Sequence, residues 1–85
     1  MSEAINITLR LSESLLSIYR DSGNMMGEVV TITLMGPLSV HEILEHAGIS
    51  SFLTPLISVD GQICSLNHIV NHDSVITLIG PLAGG

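Results

Sequence analysis

Gly36-Pro37-Leu38-Ser39-Val40-His41-Glu42-Ile43-Leu44-Glu45-His46-Ala47-Gly48 contains a helix together with both of its ends. Ser39 followed three residues later by Glu42 is a capping box, in which each side chain takes up a backbone N–H that the first helical turn leaves without a partner. Val40, Ile43, Leu44 and Ala47 fall at i, i+3, i+4 and i+7, one apolar stripe along one helix face. Gly48 stands where a helix commonly closes on a left-handed residue. The spacing predicts a helix over 40–47 with a single face to bury. His41 with Glu45, and Glu42 with His46, are four apart and read as electrostatic pairs on its solvated side.

Upstream, Glu28-Val29-Val30-Thr31-Ile32-Thr33-Leu34-Met35 is rich in β-branched residues and reads as a strand that Gly36-Pro37 ends. Earlier still, Ile5, Ile7, Leu9 and Leu11 alternate with Asn6, Thr8 and Arg10, the period of a half-buried strand. Between these strands the pattern breaks up: Leu15, Leu16 and Tyr19 suggest a short helical turn that Asp21-Ser22-Gly23-Asn24 stops. Downstream, Leu56–Val59 and Gln62–Cys64 flank Asp60-Gly61, a hairpin turn signal because both residues tolerate positive φ. Leu66–His72 has no clear period, and Asn71-His72-Asp73 reads as a turn. Ser74-Val75-Ile76-Thr77-Leu78-Ile79 is a final strand, apolar on both faces apart from Thr77, which predicts a central place in the sheet. The order of strand, strand, helix, short strands and strand fits an α+β domain. Its mixed sheet carries one main helix on one face, the β-grasp arrangement of ubiquitin-like proteins. The whole of 1–85 forms one domain in this reading, with a flexible tail from about residue 80.

At 85 residues and 9.0 kDa the chain has room for one core. Charged residues make up 12%, half the ~25% of an ordinary domain, and two arginines without any lysine face eight acidic residues for a net charge of −6. That balance argues against a nucleic-acid backbone and an anionic membrane surface, and favours a basic protein partner. The longest uncharged stretch, His46 to Val59, is 14 residues and is broken by Gly48 and Pro55, too short for the ~20 residues of a membrane span. Met1-Ser2-Glu3 lacks the basic start of a secretory signal, so a cytoplasmic location is expected.

Enzyme chemistry finds little footing. His41, His46, His68 and His72 have no carboxylate or cysteine completing a recognisable ligand set, so no metal is expected. Cys64 is the one cysteine, which excludes an internal disulfide or a zinc ribbon. With no basic residue near it in sequence it reads as a small buried hydrophobe in a short strand, not as a nucleophile. The glycines from Gly23 to Gly27 lack the Lys-Ser/Thr ending of a phosphate loop, and Met25-Met26 reads as loop packing. What remains is the end, Gly80-Pro81-Leu82-Ala83-Gly84-Gly85. Two terminal glycines without Cβ atoms can thread extended into a narrow channel of another protein, presenting the carboxylate of Gly85 as the one reactive group. Carboxylates are inert acyl donors until activated, for example as a mixed anhydride with AMP, so such a tail implies an ATP-using partner.

This ending resembles that of the ubiquitin-like sulfur carriers, the MoaD/ThiS family, in which an apolar and a small residue precede Gly-Gly. Leu66 to Val75 is similar to the family's acidic turn leading into the last strand. Ile57-Ser58-Val59-Asp60-Gly61 matches its Val-Asn-Gly hairpin, and Leu38-Ser39-Val40 resembles its Thr-Val helix entry. The resemblance covers essentially the whole chain. Two departures stand out. Ile79, Gly80 and Pro81 replace an aromatic and two prolines, and the acidic turn lacks its usual Gly, leaving Asn71 to take any left-handed position.

The resemblance implies a protein co-substrate that binds no cofactor itself. A ubiquitin-activating-like enzyme would adenylate the Gly85 carboxylate with ATP, and a sulfur donor would displace AMP to leave a thiocarboxylate. A synthase would accept the sulfur, with Gly80, Pro81, Leu82, Ala83 and Gly84 as partner-binding residues. The long 12–27 connection favours the small subunit of molybdopterin synthase, partnered by that synthase's large subunit, over the compact thiamine-pathway carriers. A ubiquitin-like protein modifier and a binding module with an idle tail are the alternatives.

Overall fold

Strand β1 (Glu3–Leu11) carries its alternation into the middle of a sheet: Ile5, Ile7, Leu9 and Leu11 are buried, while Asn6 and Arg10 are exposed. The computed structural model describes residues 3–21, 23 and 27–81. β1 pairs antiparallel with β2 (Val29–Gly36), with Ile7 opposite Ile32. On its other side it pairs parallel with β7 (Ser74–Ile79), with Leu11 opposite Leu78. β7 in turn lies antiparallel to β4 (Leu56–Val59), which turns back into β5 (Gln62–Ile63). The order β2-β1-β7-β4-β5 is a mixed sheet with the last strand at its centre. At the β4–β5 turn Asp60 has φ 50° and Gly61 φ 87°, as the Asp-Gly signal requires.

Both helices cover the same face. Helix α2 (Val40–Ala47) has the ends read from sequence: the Ser39 side chain accepts from the Glu42 N–H, Glu42 reaches back to the Ser39 N–H at 3.1 Å, and Gly48 closes the helix at φ 75°. Val40, Ile43 and Leu44 are buried with Ile7, Leu9, Ile76 and Leu78 in one core. Burial of each such side chain contributes about 1.5–3 kcal/mol, which is why the apolar stripe fixes the side on which α2 lies. Helix α1 (Glu13–Asp21) stands where the sequence suggested a short helical turn; it is nine residues long and buries Leu15, Leu16 and Tyr19. The Tyr19 hydroxyl accepts from the Ser50 N–H at 2.9 Å, tying α1 to the 3₁₀ turn over Ser51–Leu53.

Two smaller readings change. Leu66–His72 contains a strand, β6 (Ile69–Val70), that pairs with β3 (Leu38–Ser39) in a separate two-stranded ribbon at the entry to α2. β7 is central, but it is covered on one face only: Ser74, Ile76 and Leu78 are buried, whereas Val75 is 40% exposed and Thr77 and Ile79 are half-buried. The helices occupy only the other side. Among the described residues Asp60 is the one non-glycine with positive φ, so Asn71 takes no left-handed conformation and the acidic turn is built otherwise. There the Asp73 carboxylate accepts the Asn6 N–H at 2.8 Å, and the Ser74 hydroxyl donates to the His72 carbonyl at 2.9 Å.

Candidate functional site

Ser12 joins the end of the first strand to the end of the last. It follows β1 directly, and its N–H donates to the Leu78 carbonyl at 3.0 Å. Its carbonyl accepts the Leu16 N–H and its hydroxyl accepts the Leu15 N–H at 3.4 Å, the pattern of an N-cap on α1. The same hydroxyl accepts the Gly80 N–H at 3.0 Å and lies 3.1 Å from the Ser14 hydroxyl. Gly80 is buried, and a Cβ there would lie 3.0 Å from Leu15 Cβ and backbone N and 3.1 Å from its Cα. The chain leaves the sheet through a close approach to α1, where a Cβ would need Leu15 to give by a few tenths of an ångström, and Pro81 beyond it is exposed.

Of the tail residues singled out from sequence, Gly80 and Pro81 are therefore placed, while Leu82, Ala83, Gly84 and Gly85 lie outside the described residues. Gly80, where the tail was read as beginning, is buried and hydrogen-bonded to Ser12. Ser12 and Leu15 were not identified as site residues from sequence. The capping preference of Ser12 ahead of Leu15-Leu16 was a usable sign for the helix, but nothing local links it to a residue 68 positions away.

Beside this exit lies the uncovered face of the sheet. Directly opposed residues share a face, so Ile79 and Leu56 form one row next to Gly80, and Arg10, Thr77, Ser58 and Ile63 form the row behind it. Leu56 is 39% and Ile63 72% exposed. Arg10 is one of the chain's two cations and is exposed here. A mixed surface, with Leu56, Ile63 and Ile79 apolar and Ser58, Thr77 and the Arg10 guanidinium among them, thus adjoins the point where the chain leaves the sheet, a surface suited to another protein.

The remaining chemistry-bearing side chains are dispersed. His41 Nε2 is 2.8 Å from Glu45 Oε1, whereas the Glu42 carboxylate is engaged with Ser39 and makes no ion pair with His46. The Ser39 backbone N–H first, then its hydroxyl, hold the Glu42 carboxyl below the usual range, with His46 and His41 adding to this against a small opposing effect of burial. His72 Nδ1 is 2.9 Å from the Ser74 hydroxyl. Among the described residues no three His, Cys, Asp or Glu side chains converge as metal ligands. Cys64 lies just beyond β5, not in it, and is half-buried at the rim of the core with its Sγ 3.3 Å from the Gln62 carbonyl. Two surface depressions, of about 320 Å³ beside Glu42, Glu45 and His46 and about 250 Å³ between Asp60 and Asp73, do not border Gly80. No helix among the described residues is long and apolar enough to cross a membrane.

No family model and no curated protein sequence matches the chain. Solved structures do. SAMP1 from Haloferax volcanii superposes with a TM-score of 0.67 over 94% of this chain and 99% of its own, at 14% identity. A second structure, of H. volcanii small archaeal modifier protein 1, gives 0.64 over 92% and 99% at 13% identity. A protein designated molybdopterin converting factor subunit 1, from Pyrococcus furiosus, gives 0.64 over 92% and 99% at 12% identity. The chain thus has the β-grasp, ubiquitin-like fold of these small carrier and modifier proteins over nearly its whole length.

Proposed function

We propose that this chain is a cytoplasmic sulfur carrier, a protein co-substrate whose Gly85 carboxylate is adenylated and converted to a thiocarboxylate. The observation that carries the reading is the exit at Gly80: the chain departs from a fixed point beside a sheet face that the helices leave open and on which Leu56 and Ile63 are exposed. Five residues follow Gly80 and, extended, reach on the order of 17 Å, enough to enter a partner's active site while the domain stays docked outside it. In the adenylating enzyme the carboxylate oxygen attacks the α-phosphorus of ATP and pyrophosphate leaves. Sulfide then attacks the acyl carbon, forming the C–S bond of the thiocarboxylate as the C–O bond to the phosphate breaks and AMP leaves. The domain itself supplies docking and aim. The likeness to a molybdopterin converting factor subunit, together with α1 in the β1–β2 connection, favours a molybdopterin synthase large subunit as acceptor over a thiamine-pathway synthase.

Intact mass of the protein after incubation with an adenylating enzyme, ATP and a sulfur donor tests this. A gain equal to exchange of one oxygen for sulfur, absent from a chain lacking Gly85, is the expected result. Adenylation without sulfur uptake overturns it. A second reading, conjugation to lysines of other proteins, is favoured by the likeness to proteins designated small archaeal modifiers. It predicts isopeptide adducts carrying the Gly84-Gly85 end.

A further inference from the structure

The first turn of α1 packs against the exit, and its last turn holds a loop on which the chain's single phenylalanine stands in water. Gly80 lies close to Leu15, and one helical turn further on, about 6 Å along the axis, the Tyr19 hydroxyl accepts the Ser50 N–H. Ser50 opens the 3₁₀ turn over Ser51–Leu53, and its side chain accepts the Phe52 N–H at 3.3 Å. Its carbonyl accepts the Leu53 N–H at 3.1 Å, and the Ser51 carbonyl takes both the N–H and the hydroxyl of Thr54. Ile49 and Thr54, both buried, fasten the turn on either side. Phe52 between them is nevertheless 94% exposed, more than any other large hydrophobic side chain among the described residues.

We propose that Phe52 is the anchor by which the adenylating enzyme holds this domain, its ring seated in an apolar pocket beside the channel that takes the tail, an assignment that rests on the sulfur-carrier reading. The length of the tail decides what covers the ring. Leu56 stands opposite Ile79, and Phe52 is four residues before it, at most about 14 Å along the chain. A tail that reaches on the order of 17 Å beyond Gly80 lets an enzyme grip Gly85 only by bringing its surface down around the exit, and Phe52 stands a comparable distance away. Ala83, Gly84 and Gly85 together carry one methyl group, so the tail brings little affinity of its own and docking falls to the domain. The neighbourhood sets the chemistry of the pocket. His46 to Val59 contains no Asp, Glu, Lys or Arg, so nothing in this segment calls for a counter-charge and the pocket has an uncharged rim. An aromatic ring presented on a turn already fixed by hydrogen bonds loses little freedom on binding, which suits it to the centre of a contact.

ATP–pyrophosphate exchange by the adenylating enzyme, measured against carrier concentration, tests this with Phe52→Ala and Ile69→Ala. The second variant removes an exposed apolar side chain from the ribbon at the far end of α2. Urea unfolding establishes that both variants are folded. Phe52→Ala is expected to raise KM for the carrier at least tenfold with kcat within twofold, and Ile69→Ala to change neither. A KM for Phe52→Ala equal to that of the wild type overturns the inference and leaves the sulfur-carrier reading standing, as does an equal rise in both variants. A wild type that is not adenylated overturns the two together. Sedimentation equilibrium reads the other occupant: self-association of the wild type that Phe52→Ala abolishes assigns the ring to a second copy and overturns the inference.

Discussion

Gly80 shows how a single residue without a side chain can govern where a chain ends its fold. The Gly80→Ala variant drives a methyl group into the backbone of Leu15, not into a yielding side chain, and is expected to cost about 1–3 kcal/mol in urea unfolding. Ser12→Ala removes the oxygen that accepts both the Leu15 and Gly80 N–H groups and is expected to cost about 1–2 kcal/mol. Because both changes loosen one joint, the double variant is expected to fall short of the sum of the two. An additive double variant would mean that Ser12 and Gly80 are held independently. Other special residues were readable beforehand. Asp60-Gly61 and Gly48 announce themselves through neighbours in sequence, since a turn and a helix end are local events. Gly80 looked like a strand terminator, because its constraint comes from a helix 65 residues away.

At the level of elements, α2 was legible to the residue because its cap, stripe and stop are all local. The β3–β6 ribbon was not, since two-residue strands have no period to detect. α1 was underestimated for a related reason: its connection was read through Asp21-Ser22-Gly23-Asn24 as turn-like, while Ser12 was not recognised as its cap. Helix α2 also makes stability depend on pH. The folded protein holds the Glu42 carboxyl below its ordinary range, so the ionised form stabilises the fold. That contribution is complete above the ordinary glutamate range and is lost as pH falls through the depressed value. Glu42→Gln keeps a side chain able to complete the capping box but cannot titrate. Between pH 6 and pH 3 its melting temperature is expected to fall less than that of the wild type. Parallel curves would show that Glu42 contributes nothing to acid sensitivity.

For the whole molecule, one small core bears most of the load. Ile7 is fully buried, with Ile32 of β2 on one side and Ser74 of β7 on the other. Ile7→Ala is expected to cost about 2–5 kcal/mol, a large share of the 5–15 kcal/mol typical of a domain, and to lower the urea midpoint sharply. Ile63 is its counterpart on the uncovered face. Ile63→Ser is expected to leave stability within about 0.5 kcal/mol. In adenylation assays the variant is expected to raise KM for the carrier while leaving kcat unchanged, as a docking contact should. An unchanged KM would remove Ile63 from the docking surface. The overall architecture was predictable because the strand and helix periods agree with one topology.

The seating of β7 between β1 and β4 also determines how the molecule bears force. A protein that draws the tail into a channel pulls on Pro81 along the axis of β7. β7 is gripped on both flanks, by five register pairs with β1 and four with β4. Tension along a strand held in this way loads those rungs in shear, all together, whereas a strand peeled from an edge surrenders them one by one. Traction on the tail therefore meets the stiffest direction of the sheet, and the domain behaves as a handle that can be tugged without unravelling.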